Sequence, residues 1–301
     1  MIPKKLFFQL AAWALFWLLA FWSAAAWAGN FLWSVDSPEG NRVYLMGSVH
    51  LASEDFYPVP EKIQSAFNSS TQLMVEADIM EADSNELKNF FFNEGLLPPD
   101  MTLPDLLKSQ APEMLQAYND CLKTLPGMGA VLNHLKPWLA ALTLESTRLL
   151  YLGYDPKLGL DLHFIKQAKE RGIEILELES MMGQLNIFTH LTEQEGLNLL
   201  KVTILEFDPT GNDIKEMMEI LKNGDVEGFE RLYFKVFNEN PELIDVLKVL
   251  IIDRNQRMFE RIGSFFKSGQ TTFVVVGAAH LVGPDGLVEK FKQAGYLVTK
   301  H

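Results

Sequence analysis

Cysteine is nearly absent: Cys121 is the only one in 301 residues, and it lies deep in the chain. Neither an internal disulfide nor a lipid-bearing cysteine near the N-terminus is therefore available. Basic residues are also scarce, 26 Lys and Arg against 39 Asp and Glu for a net charge of −13. Such an acidic balance argues against phosphate-backbone binding and removes nucleic acid from the expected partners. No apolar stretch after residue 28 is long enough to cross a bilayer. Heptads, short-period repeats and low-complexity tracts are missing too. So is H-E-x-x-H, which excludes the zincin mechanism.

What is present begins with the pattern of an export signal. Lys4 and Lys5 supply a positive start, Leu10 to Trp22 an apolar core, and Ala26-Trp27-Ala28 a small-x-small cleavage pattern. The expectation is cleavage after residue 28, a mature chain opening at Gly29, and a periplasmic or secreted location. An uncleaved anchor is the alternative, because the apolar run 10–28 nearly matches the length of a membrane span. Removing the segment takes Lys4 and Lys5 with it and leaves a net charge of −15 on residues 29–301. That length suits one large α/β unit with helical insertions.

Two segments, Gly47-Ser48-Val49-His50 and Gly277-Ala278-Ala279-His280, repeat one pattern: an apolar run, a glycine, then histidine three positions on. The preceding runs, Val43-Tyr44-Leu45-Met46 and Thr272-Phe273-Val274-Val275-Val276, read as strands buried on both faces of a parallel sheet. Each glycine then marks a strand's carboxyl end, where open α/β sheets bind ligands. Segments 30–36 and 42–49 read as a hairpin, 71–77 and 173–178 as further strands, and Leu160–Arg171 as a helix stopped by Gly172. Helical patterns broken by proline and glycine fill about 84–152 and 190–266, which become insertions; a helix over 286–294 and a strand over 296–299 close the chain. The fold class is α/β, with a mixed, mostly parallel central sheet, flanking helices and helical insertions.

Four strand ends carry an acid–base or metal-capable side chain: His50, Glu76, Glu179 and His280. Two imidazoles with one or two carboxylates suit a divalent transition metal, whose bound water ionises near neutral pH while a further carboxylate carries the proton. Plainer readings stand beside this one. Glu179 before Ser180, and Asp78 before the next helical stretch, fit helix caps, and a histidine after a strand also serves as a packing residue. Arg254, at the head of an amphipathic helix, is either a solvated face or a clamp for a carboxylate or developing oxyanion. Trp138 and Met181-Met182 read as core before they read as ligand walls. His134, His163, His190 and His301 have no matching partner in the pattern and read as surface or locally bonded.

These pieces resemble the TraB/PrgY/GumN family, to which the Tiki metalloproteases are related. The matching segments are Tyr44-Leu45-Met46-Gly47-Ser48-Val49-His50, Leu73-Met74-Val75-Glu76, Thr102-Leu103-Pro104-Asp105-Leu106-Leu107, Lys136-Pro137-Trp138, Gly159-Leu160-Asp161, Leu178-Glu179, Gln184, Arg254-Asn255 and Val275 to Gly283. The resemblance implies a fold like that of haem-binding ChaN and erythromycin-esterase-like proteins. It also implies divalent-metal-dependent peptide-bond hydrolysis, supported by manganese or cobalt in the Tiki branch, with zinc a further option. Carried over, His50, Glu76 and His280 become metal ligands, Glu179 a base or further ligand, and Arg254 a transition-state or substrate clamp. Activity in one branch need not transfer to another.

The leading expectation is therefore an exported divalent-metal-dependent hydrolase, a peptidase acting on a peptide or protein substrate, with no nucleic-acid partner and no stable membrane insertion after signal cleavage. The alternative is a non-catalytic envelope module that sequesters a peptide or haem-like ligand. An envelope scaffold using its helical insertions for protein contact is a third, in which the paired histidines are dispensable.

Overall fold

The computed structural model describes residues 31–38, 40–266 and 270–301; the expected signal segment, 1–28, lies outside them. A single sheet of six strands organises these residues: β1 Leu32–Asp36, β2 Arg42–Ser48, β3 Gln72–Val75, β4 Glu174–Glu177, β5 Thr272–Gly277 and β6 Leu297–Lys300. Their spatial order is β4-β3-β5-β2-β1-β6. The four strands β4, β3, β5 and β2 run parallel, and β1 pairs antiparallel with both β2 and β6. The fold is thus mixed α/β with a mostly parallel sheet.

Burial follows position in the sheet. Every residue of the central strands β3 and β5 is buried, whereas the outer strands β4 and β6 are largely half-buried or exposed. An unbroken run such as Phe273-Val274-Val275-Val276 is what helices on both faces require. Phe67 and Phe164, from the helices Glu61–Asn68 and Leu160–Arg171, pack against Phe273. The second of these helices ends where Gly172 turns left-handed at φ +66°, a conformation glycine adopts without steric cost.

The stretch 84–152 is a group of short helices broken where proline interrupts the pattern, as its composition suggests. Capping boxes at Thr102 with Asp105 and at Thr192 with Glu195 start two helices of the insertions, Leu103–Gln110 and Glu193–Leu205. The second of these packs against Trp138 at Gly196, and Trp138 itself stacks on Phe188 in the core. Among the described residues no helix is long and apolar enough to cross a membrane.

Candidate active site

Because β4, β3, β5 and β2 are parallel neighbours, their carboxyl ends share one edge of the sheet, and the residues beyond them follow the strand order: Glu179, Glu76, His280, His50. The ladder continues past β3 and β4, with the amide of Leu178 donating to Val75 and that of Glu179 to Glu76. The two motif glycines sit on adjacent strands one register step apart, Ser48 being opposite Gly277. A methyl group on Gly47 would lie 3.1 Å from the Phe31 ring and 3.2 Å from the Ala278 Cα. Glycine here keeps the packing tight and lets one histidine motif rest against the other.

His50, Glu76, Arg254 and His280 are all buried, at 3, 3, 7 and 3 % exposure. Such charge inside a protein persists only when paired, and Arg254 provides the pairing. Its Nη2 donates to Glu76 Oε2 at 2.5 Å and to Glu179 Oε2 at 2.8 Å, its Nε donates to Glu179, and its Nη1 donates to the Leu250 carbonyl. Gln184 Nε2 joins the same two carboxylates at 3.0 and 3.1 Å. The other carboxylate oxygen of Glu76 accepts the Gly277 amide at 2.7 Å. Arg254 follows a π-helical turn, Lys248–Ile252, a departure from α geometry that recurs at functional sites.

Burial alone would raise the Glu76 pKa, but nearby His280, Arg254 and His50, with the Gly277 amide, hold it down at about 2. His280 contributes to that only while protonated, whereas Arg254 carries its charge throughout. Burial and Arg254 push His280 down to about 4, which leaves this imidazole neutral. His50 goes the other way: burial lowers its pKa, but Asp161, with its Oδ2 at 2.9 Å from His50 Nδ1, and then Glu76 outweigh that and raise it.

The helical-cap reading of Glu179 is not what the structure shows. Ser180 is the N-cap of the helix Met181–Thr189, accepting the Gly183 amide, while Glu179 turns to Arg254. Asp78 does not cap the helix Ser84–Glu94 either; Asp83 does, and Asp78 pairs with Lys169. Nor is Arg254 a solvated face. Among the remaining histidines, His163 contacts Gln167 and His190 the Asn186 carbonyl, both one helical turn away and outside the site.

Three participants carried no role on sequence grounds. Asp161 contacts His50 and accepts from Ser48 Oγ at 2.6 Å; Asn255 Oδ1 lies 2.6 Å from His280 Nδ1; Gln184 bridges the two glutamates. Each lies within a stretch matched to the family pattern, Gly159-Leu160-Asp161, Arg254-Asn255 or the lone Gln184, and that membership was the available signal. Gly159 explains the first of these. A side chain there would strike the His50 carbonyl, and the bare glycine lets the Leu160 amide donate to the Val49 carbonyl at 2.9 Å, bringing Asp161 to His50.

The donor chemistry partly suits a divalent ion. His50 Nε2 is buried with no hydrogen-bond partner, an unusual vacancy for a ring nitrogen. His280 Nε2 stands 3.7 Å from Glu76 Oε1, too far for a hydrogen bond and close to the separation of two ligands each about 2.0–2.2 Å from one ion. Among the described residues, however, no three His, Cys, Asp or Glu side chains converge as a ready ligand set. Two imidazoles and one oxygen of Glu76 fit the group in kind; a complete shell is not preassembled.

Residues 31–300 match the TraB/PrgY/gumN family. The chain belongs to that family. It is similar to the uncharacterized protein YbaP of Escherichia coli strain K12, at 24 % identity over 273 residues covering 89 % of this chain and 96 % of YbaP. An uncharacterized protein of Treponema pallidum strain Nichols is 22 % identical over 278 residues, covering 86 % of this chain and 79 % of its own length. No solved structure matches. As a TraB/PrgY/gumN member, the chain places both G-x-x-H histidines, the two glutamates and the Arg-Asn pair on one sheet edge.

A cavity of about 470 Å³ lies between helices of the insertions, with Glu145, Arg148, Val202 and Tyr233 among its lining residues. None of the strand-end residues is among those lining it.

Proposed function

We propose that this protein is an exported divalent-metal-dependent hydrolase whose substrate is a peptide or protein. The observation that carries the reading is the buried, unpartnered Nε2 of His50 on the same sheet edge as His280 and Glu76. His50, His280 and Glu76 would hold the ion, with manganese, cobalt or zinc each compatible with nitrogen and oxygen donors. Bound there, it would polarise a carbonyl and supply hydroxide near neutral pH.

The chain's own residues do the rest. Arg254 keeps Glu76 ionised and, by donating to both carboxylates, holds Glu179 a fixed distance from it, so that Glu179 is placed to accept a proton and return it to a leaving amine. Arg254 donates to both glutamates and to Leu250, so its first role is to organise the carboxylates, and it would clamp substrate only by exchanging one of them. Gln184 presents a second donor to the same oxygens and limits their rotation. Burial excludes bulk water and strengthens each of these interactions.

The test is elemental analysis of chain purified without chelators, beside the His50→Ala/His280→Ala variant with verified folding. Near-stoichiometric metal that disappears in the variant, followed by cleavage of a peptide library with manganese, cobalt or zinc, is the expected result. Absence of metal in both preparations after reloading would remove the hydrolase reading. The second reading, a non-catalytic module that sequesters a ligand, is favoured by the cavity between the insertions, and it predicts ligand retained intact in the presence of each metal.

A further inference from the structure

Each motif histidine is held from behind by a side chain delivered from outside the sheet, and the chemistry of the two contacts decides where the imidazole protons sit. At His50, Nδ1 lies 2.9 Å from Asp161 Oδ2. That oxygen makes no aligned hydrogen bond, but a carboxylate has only lone pairs to offer. An unprotonated Nδ1 at that distance would set lone pair against lone pair, so Nδ1 carries the hydrogen. The second oxygen of Asp161 accepts from Ser48 Oγ, and this fixes which face of the carboxylate meets the ring.

At His280 the partner is an amide, which offers an acceptor at one end and a donor at the other. The ambiguity is removed one contact further out. Asn255 Nδ2 donates to the backbone carbonyl of Asp285 at 2.9 Å, and a carbonyl can only accept. The Oδ1 end must therefore face His280 Nδ1 at 2.6 Å, and Nδ1 must again be the donor. In their neutral forms both rings thereby leave the lone pair on Nε2: His50 Nε2 is buried with no partner, and His280 Nε2 stands 3.7 Å from Glu76 Oε1.

We infer that Asp161 and Asn255 are positioning residues: Asp161 backed by Ser48, and Asn255 backed by the Asp285 carbonyl, lock His50 and His280 as Nδ1–H tautomers and aim both Nε2 lone pairs at one divalent cation. Second-contact partners of this kind orient imidazole ligands, and their loss weakens metal affinity by about 10–100-fold. The inference deepens the proposed function and rests on it for the cation, while the tautomer assignment stands on the contacts of the two rings.

The test begins on the metal-free full chain labelled with ¹⁵N-histidine, at about pH 9, where ordinary histidines are neutral. Long-range ¹H–¹⁵N spectra then report which nitrogen of each ring carries the proton. The expected wild-type pattern is Nδ1–H at both His50 and His280. Asp161→Leu should release His50 alone to a tautomer mixture and Asn255→Leu should release His280 alone, the untouched ring serving as the folding control in each case. Asp161→Asn, which keeps an acceptor for Nδ1, should restore the His50 pattern.

Manganese and zinc titrations of the same samples should show affinity about 10–100-fold weaker in the leucine variants and largely recovered in Asp161→Asn. An Nε2–H tautomer at either ring in the wild type, or tautomers unmoved by the leucine substitutions, would overturn the inference. Tautomers that move as expected in a chain that binds neither ion would uphold the positioning roles and count instead against the metal-dependent hydrolase.

Discussion

The two G-x-x-H ends look equivalent in sequence and are built differently. Gly47 is followed by Ser48, whose hydroxyl, with His50, engages Asp161 from the helix Leu160–Arg171. Gly277 lends its amide to Glu76, and His280 engages Asn255 from the helix Asp253–Phe265. One imidazole is therefore backed by a charge and the other by a neutral amide. A carboxylate favours the charged ring and an amide does not; burial, with Arg254, wins at His280, and Asp161 outweighs burial at His50. The lesson is that a repeated motif specifies where a side chain sits, while its chemical character comes from whatever packs behind it.

The most disruptive way to break the comparison is to remove what both ends share. Arg254→Leu leaves Glu76 buried without its cation and Glu179 with only the exposed Arg257 nearby, and stability in urea should fall by about 3–5 kcal/mol, with the His280 pKa rising because a neighbouring positive charge is gone. A variant unfolding at the wild-type urea midpoint would show that the bridge is not structural.

A narrower cut separates the two ends. Gly159→Ala should force the Leu160–Arg171 helix away from the His50 carbonyl, costing about 1–3 kcal/mol as overpacking does. It should disturb the His50 resonances while leaving those of His280 in place. Equal disturbance of both rings would mean that Asp161 does not act on one end alone.

The pH dependence of the metal-free chain sharpens the contrast. His280, with a folded pKa of about 4, below its ordinary 6.5, favours the neutral form; its contribution to stability is complete above the ordinary value and is lost as pH falls toward 4. His50, with a raised pKa, contributes fully below the ordinary value and loses that contribution as pH rises through its folded value. Histidine titration by NMR should place the two rings on opposite sides of 6.5. His280→Gln should flatten the acid side of the stability curve and His50→Gln the alkaline side. Coincident titrations would erase the distinction.

The smallest expected effect belongs to Gly47→Ala. The added methyl group meets Phe31 and Ala278 at 3.1–3.3 Å, so a shift of a few tenths of an ångström accommodates it at a cost of about 1 kcal/mol. The readout is a modest drop in the thermal midpoint. A stabilised variant would mean that slack, not close packing, separates the two motifs.

Much of this was legible along the chain because the signals are local. Unbroken β-branched and aromatic runs announced strands covered on both faces, Gly172 ended its helix, and prolines divided the first insertion into short helices. The strand-end positions of His50, Glu76, Glu179 and His280 followed from the same runs. Other features depended on contacts between residues 25 or more positions apart, which no local period encodes. Glu179 carried the local signature of a cap, and only the approach of Arg254 shows that it is half of a buried ion bridge. Asp161, Asn255 and Gln184 were polar residues in helical segments with nothing nearby to aim them.

The sequence by itself determined the strands, the helix stops and the identity of the groups at four strand ends, because hydrophobic period and glycine placement act over a few residues. Tertiary structure decided the order Glu179-Glu76-His280-His50 across the sheet, the burial of Arg254 between two carboxylates, and the unequal partners of the two histidines. Those outcomes depend on which distant helix terminus reaches each strand end, and electrostatics inside a protein are set by such neighbours.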